Sequence, residues 1–178
     1  MASGSIDRYE VDIIDLSPEG DGIATLAGAR VAVPFTIPGE RVLVSVLRTG
    51  RPIKSARLVR VLKASPNRVE PACPHFGPDT EGGLPCGGCS WQHIAYPEQL
   101  RLKTARIERL LAAARVPARV LPMKAATPLN APWGFRQKVH FHVAGGVRPG
   151  PPLHLGHYAR GSRRVVPVQD CPCLLYTS

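Results

Sequence analysis

Residues 73–96 read CPHFGPDTEGGLPCGGCSWQHIAY, and this stretch decides how the rest of the chain divides. It carries Cys73, Cys86 and Cys89, while Cys171 and Cys173 lie near the far end of the sequence. Gly87 and Gly88 let the backbone turn tightly between Cys86 and Cys89, so both thiolates can face one centre and backbone N–H groups can approach sulfur. A Cys-x-x-Cys turn supports three chemistries. A redox pair normally opens a helix after a strand, and no βαβ pattern precedes this one. Structural zinc takes four ligands, and an iron–sulfur cluster also takes four thiolates. Cys73, Cys86, Cys89 and Cys171 supply four, and spacing does not separate zinc from iron. His75 and His93 are spare donors, expected beside the ligands or at the surface rather than among them.

The 178 residues are enough for one domain or two small ones. With 17 glycines and 19 prolines, short strands and many turns are favoured over a helical bundle. No apolar run is long enough to span a bilayer, and MASGSIDRYEVD has no basic start followed by an apolar stretch. The expected setting is a reducing cytoplasm with no membrane partner, where clustered cysteines serve as metal ligands rather than disulfides.

The formal net charge is +10, which speaks to partners rather than to fold. Nucleic acid is one partner for such a surface, and a basic face without a ligand is the other reading. Residues 1–40 carry Arg8 and Arg30 against seven acids, whereas 41–70 carry eight basic residues against Glu70. That segregation predicts one basic surface. Arg48, Arg51, Lys54, Arg57 and Lys63 are its candidate phosphate contacts, with Arg136 and Lys138 on a later strand as further candidates.

Working outward from the cysteines, the upstream chain reads as strands. YEVDIID (9–15), IATLAG (23–28), ARVAVPF (29–35), RVLVSVLRTG (41–50) and SARLVRVLKA (55–64) are separated by glycine- and proline-bearing turns. Val42, Val44 and Val46 fall on one face of their strand; Leu58, Arg60 and Leu62 share a face in the next. Five short strands in this space predict a small closed or partly closed barrel of OB type, whose basic groove would take single-stranded nucleic acid. Downstream, Pro97 opens a helix that ends by Pro117. Leu100, Ile107, Leu110, Leu111 and Ala114 form its expected core stripe, with Arg101, Arg106 and Arg109 on a solvated face. FRQKVHFHVAGG (135–146), LHLGHYA (153–159) and RRVVPVQDC (163–171) then read as antiparallel strands.

Two resemblances follow from these motifs. GDGIA with VPFTIPGERV and the basic strand after it resembles a TRAM domain, an OB-like RNA-binding module. CGGCSWQHIAYPEQLRLK with Cys73 before it closely resembles the cluster-binding segment of bacterial ribosomal-RNA uracil-5-methyltransferases. WGFRQKVHFHV and LGHYARGSRRVVPVQDCP are similar to later strands of that family, in the expected order. The resemblance implies a mainly β fold with some α. An OB-like TRAM β-barrel spans 5–64, a cysteine-rich cluster segment and helix span 65–116, and an incomplete antiparallel α+β middle domain spans 117–172.

The resemblance also implies a 4Fe-4S cluster on Cys73, Cys86, Cys89 and Cys171, ribosomal RNA as partner, and methyl transfer from S-adenosylmethionine to form 5-methyluridine in large-subunit ribosomal RNA. The twelve residues between Cys73 and Cys86 are a longer gap than in many family members, and Cys173 has no family role. The doubly wound S-adenosylmethionine-binding domain, with its nucleophilic cysteine, is expected outside this sequence, so none of these residues is assigned to catalysis. The ending CLLYTS leaves the family pattern and is similar to translated sequencing-adapter sequence, so 173–178 are expected to be a non-native tail. The alternative is a stand-alone RNA-binding module with a zinc or iron–sulfur knot. Radical S-adenosylmethionine chemistry would need a Cys-x₃-Cys-x₂-Cys run, which the sequence lacks. No protein partner is implied.

Overall fold

The alternation of valines in 41–47 is realised as a strand with one face in the core. Val42, Val44 and Val46 are 0%, 1% and 2% exposed. The structure, a computed structural model, describes residues 6–47, 54–78, 84–125, 133–145 and 152–175. The five strands expected upstream are present: β1 (Ile6–Leu16), β2 (Gly22–Leu26), β3 (Ala29–Val33), β4 (Arg41–Leu47) and β5 (Arg57–Lys63). All neighbouring pairs are antiparallel, in the order β3-β2-β1-β4-β5. The two edges meet where Ala32 bridges Ser55: the Ala32 N–H donates to the Lys54 carbonyl at 3.1 Å and the Ala56 N–H to the Ala32 carbonyl at 2.8 Å. The enclosed core is Val11, Ile13, Ala24, Val31, Val33, Phe35, Val42, Val44, Val46, Ala56 and Leu58.

Simple alternation fails in β5. The β4–β5 register shifts between Leu43 and Val44, so Leu43 pairs with Arg60 while Val44 pairs with Leu58. This bulge inserts a residue and rotates the strand. Leu58 is buried and Val61 half-buried, but Leu62, expected to share the face of Leu58, is exposed.

Downstream lies α1 (Tyr96–Ala113), with a proline in its first turn as expected. Its predicted core stripe is corrected. Ile107 is 42% and Leu110 55% exposed, and the residue that is buried is Leu102, packed with Ile37 and Ile94. The helix is anchored by one turn, so the remaining apolar periodicity is not consumed by this packing. Arg106 and Arg109 are exposed, as expected of a solvated face, and each also reaches an acceptor in or just after β1. Arg106 donates to the Pro18 carbonyl at 2.7 Å, and Arg109 to the Asp15 carboxylate at 2.6 Å.

The third region is a three-stranded antiparallel sheet, β6 (His142–Ala144), β7 (His154–Tyr158) and β8 (Val165–Pro167). The strand expected over 135–146 is much shorter. Residues 134–136 instead hydrogen-bond the chain at 172–175: the Gly134 N–H donates to the Pro172 carbonyl, Arg136 N–H to Cys173 and Leu175 N–H to Arg136. No helix among the described residues is long and apolar enough to cross a membrane.

Candidate metal centre

The cysteine segment is irregular, so its position is set by cross-links rather than by a ladder. Its N-terminal side is pinned below the sheet by a buried ion pair. Glu40 accepts from Arg68 Nε at 2.5 Å and Nη2 at 2.7 Å, and from the Ile37 and Ser65 N–H groups. Burial raises the Glu40 pKa, and these donors outweigh it and hold the carboxyl below its usual range. Trp91 Nε1 donates to the Gly20 carbonyl at 2.9 Å, which fastens the segment to the β1–β2 turn. Gly20 has φ +89°, and a Cβ there would meet Trp91 Nε1 at 2.5 Å, so glycine is required. Asp21, in the same turn, pairs with Arg160 after β7.

The Cys-Gly-Gly-Cys turn is docked on the end of β7. Cys86 bridges Ala159, the Gly87 N–H donates to the Tyr158 carbonyl at 2.9 Å, and the Arg160 N–H to the Pro85 carbonyl at 3.0 Å. A Cβ on Gly87 would stand 2.7 Å from that Tyr158 oxygen. The first glycine of the turn is therefore needed for strand approach as much as for turning.

This docking brings the four predicted ligands together. Cys73, Cys86, Cys89 and Cys171 line one small space, with His75, Gln92, Arg136 and His157 around it. Cys73 and Cys171 are buried and the turn cysteines partly so. Burial pushes the Cys73 and Cys86 thiols up, and each also feels the charge of the other cysteines. Cys89 is held below the ordinary thiol range, first by a hydrogen bond with Cys173 at 3.5 Å and further by Gln92 and Arg136; Cys173 is pushed up in return. Among the described residues, no three Cys, His, Asp or Glu side chains form a compact set for one metal ion. The chemistry of the donor set, four thiols from two distant stretches, fits a thiolate-held group, either structural zinc or an iron–sulfur cluster.

The spare histidines part company. His75 lines the thiol space. His93 is buried away from it, stacked on Phe76 at 5.6 Å, with Nε2 3.4 Å from the Thr36 carbonyl. Burial, with Arg68 nearby, lowers its pKa to about 4. Arg136, a candidate phosphate contact, borders the thiol space and reaches the Gly88 carbonyl at 3.5 Å. His157 and Gln92 were not singled out in the sequence, since nothing in their spacing relates them to the cysteines. His157 Nε2 is buried without a hydrogen-bond partner. Its pKa is lowered by burial and by the nearby Arg136 and His142.

Of the remaining basic candidates, Lys54, Arg57, Lys63 and Lys138 are exposed, and Arg48 and Arg51 lie outside the described residues. Arg57 and Arg160 line an open groove together with Pro34, Phe35 and Pro85. Arg160 lies over the Phe35 ring at 5.6 Å.

Over 93% of its length the chain is similar to RNA (uracil-C5) methyltransferases. It is 35% identical over 167 residues to the 23S rRNA (uracil(1939)-C(5))-methyltransferase of Alkalilimnicola ehrlichii, covering 93% of this chain and 35% of that protein. It is 32% identical over 166 residues to an uncharacterized RNA methyltransferase of Halalkalibacterium halodurans, covering 93% of this chain and 34% of the relative. The chain thus spans about a third of the length of the curated relatives it matches. No protein-family model matches it. In fold it is similar to the Pyrococcus abyssi tRNA (uracil-54, C5)-methyltransferase solved with S-adenosyl-L-homocysteine, at TM-score 0.50 and 22% identity over 92% of this chain and 32% of that one.

Proposed function

We propose that this chain is the RNA-docking, cluster-supported part of an S-adenosylmethionine-dependent RNA methyltransferase that forms 5-methyluridine in large-subunit ribosomal RNA. The carrying observation is the convergence of Cys73, Cys86, Cys89 and Cys171 on one space, in a chain homologous to RNA (uracil-C5) methyltransferases. In this reading β1–β5 is the OB-like TRAM barrel, and Lys54, Arg57 and Lys63, with Arg48 and Arg51, meet phosphates. The four cysteines hold a 4Fe-4S cluster that supports structure, since methyl transfer to a pyrimidine needs no electron. The catalytic residues and the S-adenosylmethionine site belong to the part of the relatives that this chain does not span. Residues 173–178 stand outside the functional design, and the enzyme is cytoplasmic.

The test is anaerobic purification of the chain with iron, sulfide and zinc analysis and an absorption spectrum. Iron with sulfide and a broad band near ~400 nm is the expected result. Zinc without iron would replace the cluster by a structural zinc knot.

A further inference from the structure

We infer that His157 is a positioning residue of the thiol centre, donating its Nε2–H to a sulfur of the group that the four cysteines hold. This inference rests on the cluster reading above and extends it to a residue outside the thiolate set.

The geometry begins in β7. His157 pairs with Val166 of β8, and its ring packs 5.1 Å from that of Phe141. Ala159, two residues on, is the bridge partner of Cys86. Alternate residues of a strand share a face, so the strand that receives Cys86 carries His157 toward the same turn. Gly88 measures the approach: a Cβ there would stand 3.4 Å from Cys86 Sγ and 3.5 Å from His157 Cδ2. His157 Cγ follows at 3.7 Å, so the Cγ–Cδ2 edge of the ring lies against the Cys-Gly-Gly-Cys turn, with Nε2 bonded to Cδ2 at the next corner of the ring.

That nitrogen is buried and has no partner in the protein, yet the residue borders the space that the four thiols surround. A buried polar atom without a hydrogen bond costs about 1–3 kcal/mol, and native folds leave few of them. Thiolates and sulfides present only acceptors, so an imidazole meets them through an N–H at Nε2. Hydrogen bonds to cluster sulfurs are among the factors that set reduction potential, and groups that orient ligands alter metal retention in the same way.

The experiment uses the 178-residue chain, reconstituted anaerobically with iron and sulfide, in three forms. His157→Phe keeps the ring packing on Phe141 and removes the donor; His157→Asn restores an N–H donor. Iron and sulfide content are measured first. The one-electron reduction of the cluster is then titrated, and its loss in air is timed. Wild type and both variants are expected to bind iron. At a fixed ambient potential the reduced-to-oxidised ratio is expected to fall about tenfold in His157→Phe, a shift of 59 mV for one electron. Air bleaching should be faster, and His157→Asn should recover part of both effects. An unchanged ratio and unchanged bleaching in an iron-loaded His157→Phe chain overturns the inference while leaving the cluster reading intact. A wild-type chain that takes only zinc overturns the cluster reading. The inference then requires faster zinc release to a chelator from His157→Phe than from His157→Asn, and equal rates overturn it. Should His157→Phe fail to fold by circular dichroism, His157→Leu is read in its place against the same outcomes.

Discussion

The five-stranded sheet and the cysteine layer beside it hold together by different means. The sheet encloses one continuous apolar cluster, fed by alternate residues of β1, β3 and β4. The cysteine layer has a small core of Ile37, Ile94 and Leu102, and otherwise depends on single contacts: Glu40–Arg68, Trp91 to Gly20, Asp21–Arg160 and the Cys86–Ala159 bridge. Apolar burial is non-directional and distributed over many residues, so the sheet tolerates the loss of any one contact. The layer is built from a few directional contacts, and its thiols repel as they ionise unless a metal group draws them together.

The largest way to break this contrast is at the junction. Glu40→Ala removes the carboxylate shared by Arg68 and two backbone N–H groups and leaves Arg68 only the Phe35 carbonyl, and removal of one member of a buried ion pair costs about 3–5 kcal/mol. Urea unfolding should show that loss. The cysteine layer should lose hydrogen-exchange protection further than β1–β4, and uniform loss across both regions would erase the distinction.

A smaller effect tests the layer through pH. His93 titrates at about 4 in the folded chain and near ~6.5 unfolded. Between those values the unfolded state binds more protons, so this contribution is complete above pH ~6.5 and is lost as the pH falls toward 4. Urea unfolding should lose about 2 kcal/mol between pH ~7.5 and ~5, a window above the titration of Glu40. His93→Gln should flatten that dependence.

The smallest effect on stability lies on the exposed face of the sheet. Replacing Lys54, Arg57 and Lys63 together by alanine should change stability by no more than about 0.5 kcal/mol per site. It should nonetheless weaken RNA binding and flatten its salt dependence, by up to about 0.7 in log–log slope per lost phosphate contact on single strands. An unchanged slope would remove this face from the RNA-docking proposal.

The strands of the sheet were legible because a half-buried strand must alternate, and Val42, Val44 and Val46 do so without interruption. The β5 face was misread because a bulge is a property of two paired strands, and only the partner reveals it. The helix stripe failed for a related reason. Periodicity marks which residues can share a face, while Leu102 is buried because Ile37 and Ile94 happen to meet that turn. Arg106 and Arg109 do lie on a solvated face, but their acceptors, the Pro18 carbonyl and the Asp15 carboxylate, were not legible from the helix alone.

The sequence by itself determined the donor chemistry: four thiols, a glycine pair that permits a tight turn, and a basic surface after residue 40. These follow from residue type and local order, which one chain carries without reference to its fold. Only the tertiary structure decided that Cys171 returns to the Cys73–Cys89 segment, that Gly87 is required by the Tyr158 carbonyl, and that Arg136 and His157 border the thiols. Those are relations between stretches as many as 98 residues apart in the chain. They are set by the docking of β7 against the turn, which no local pattern encodes.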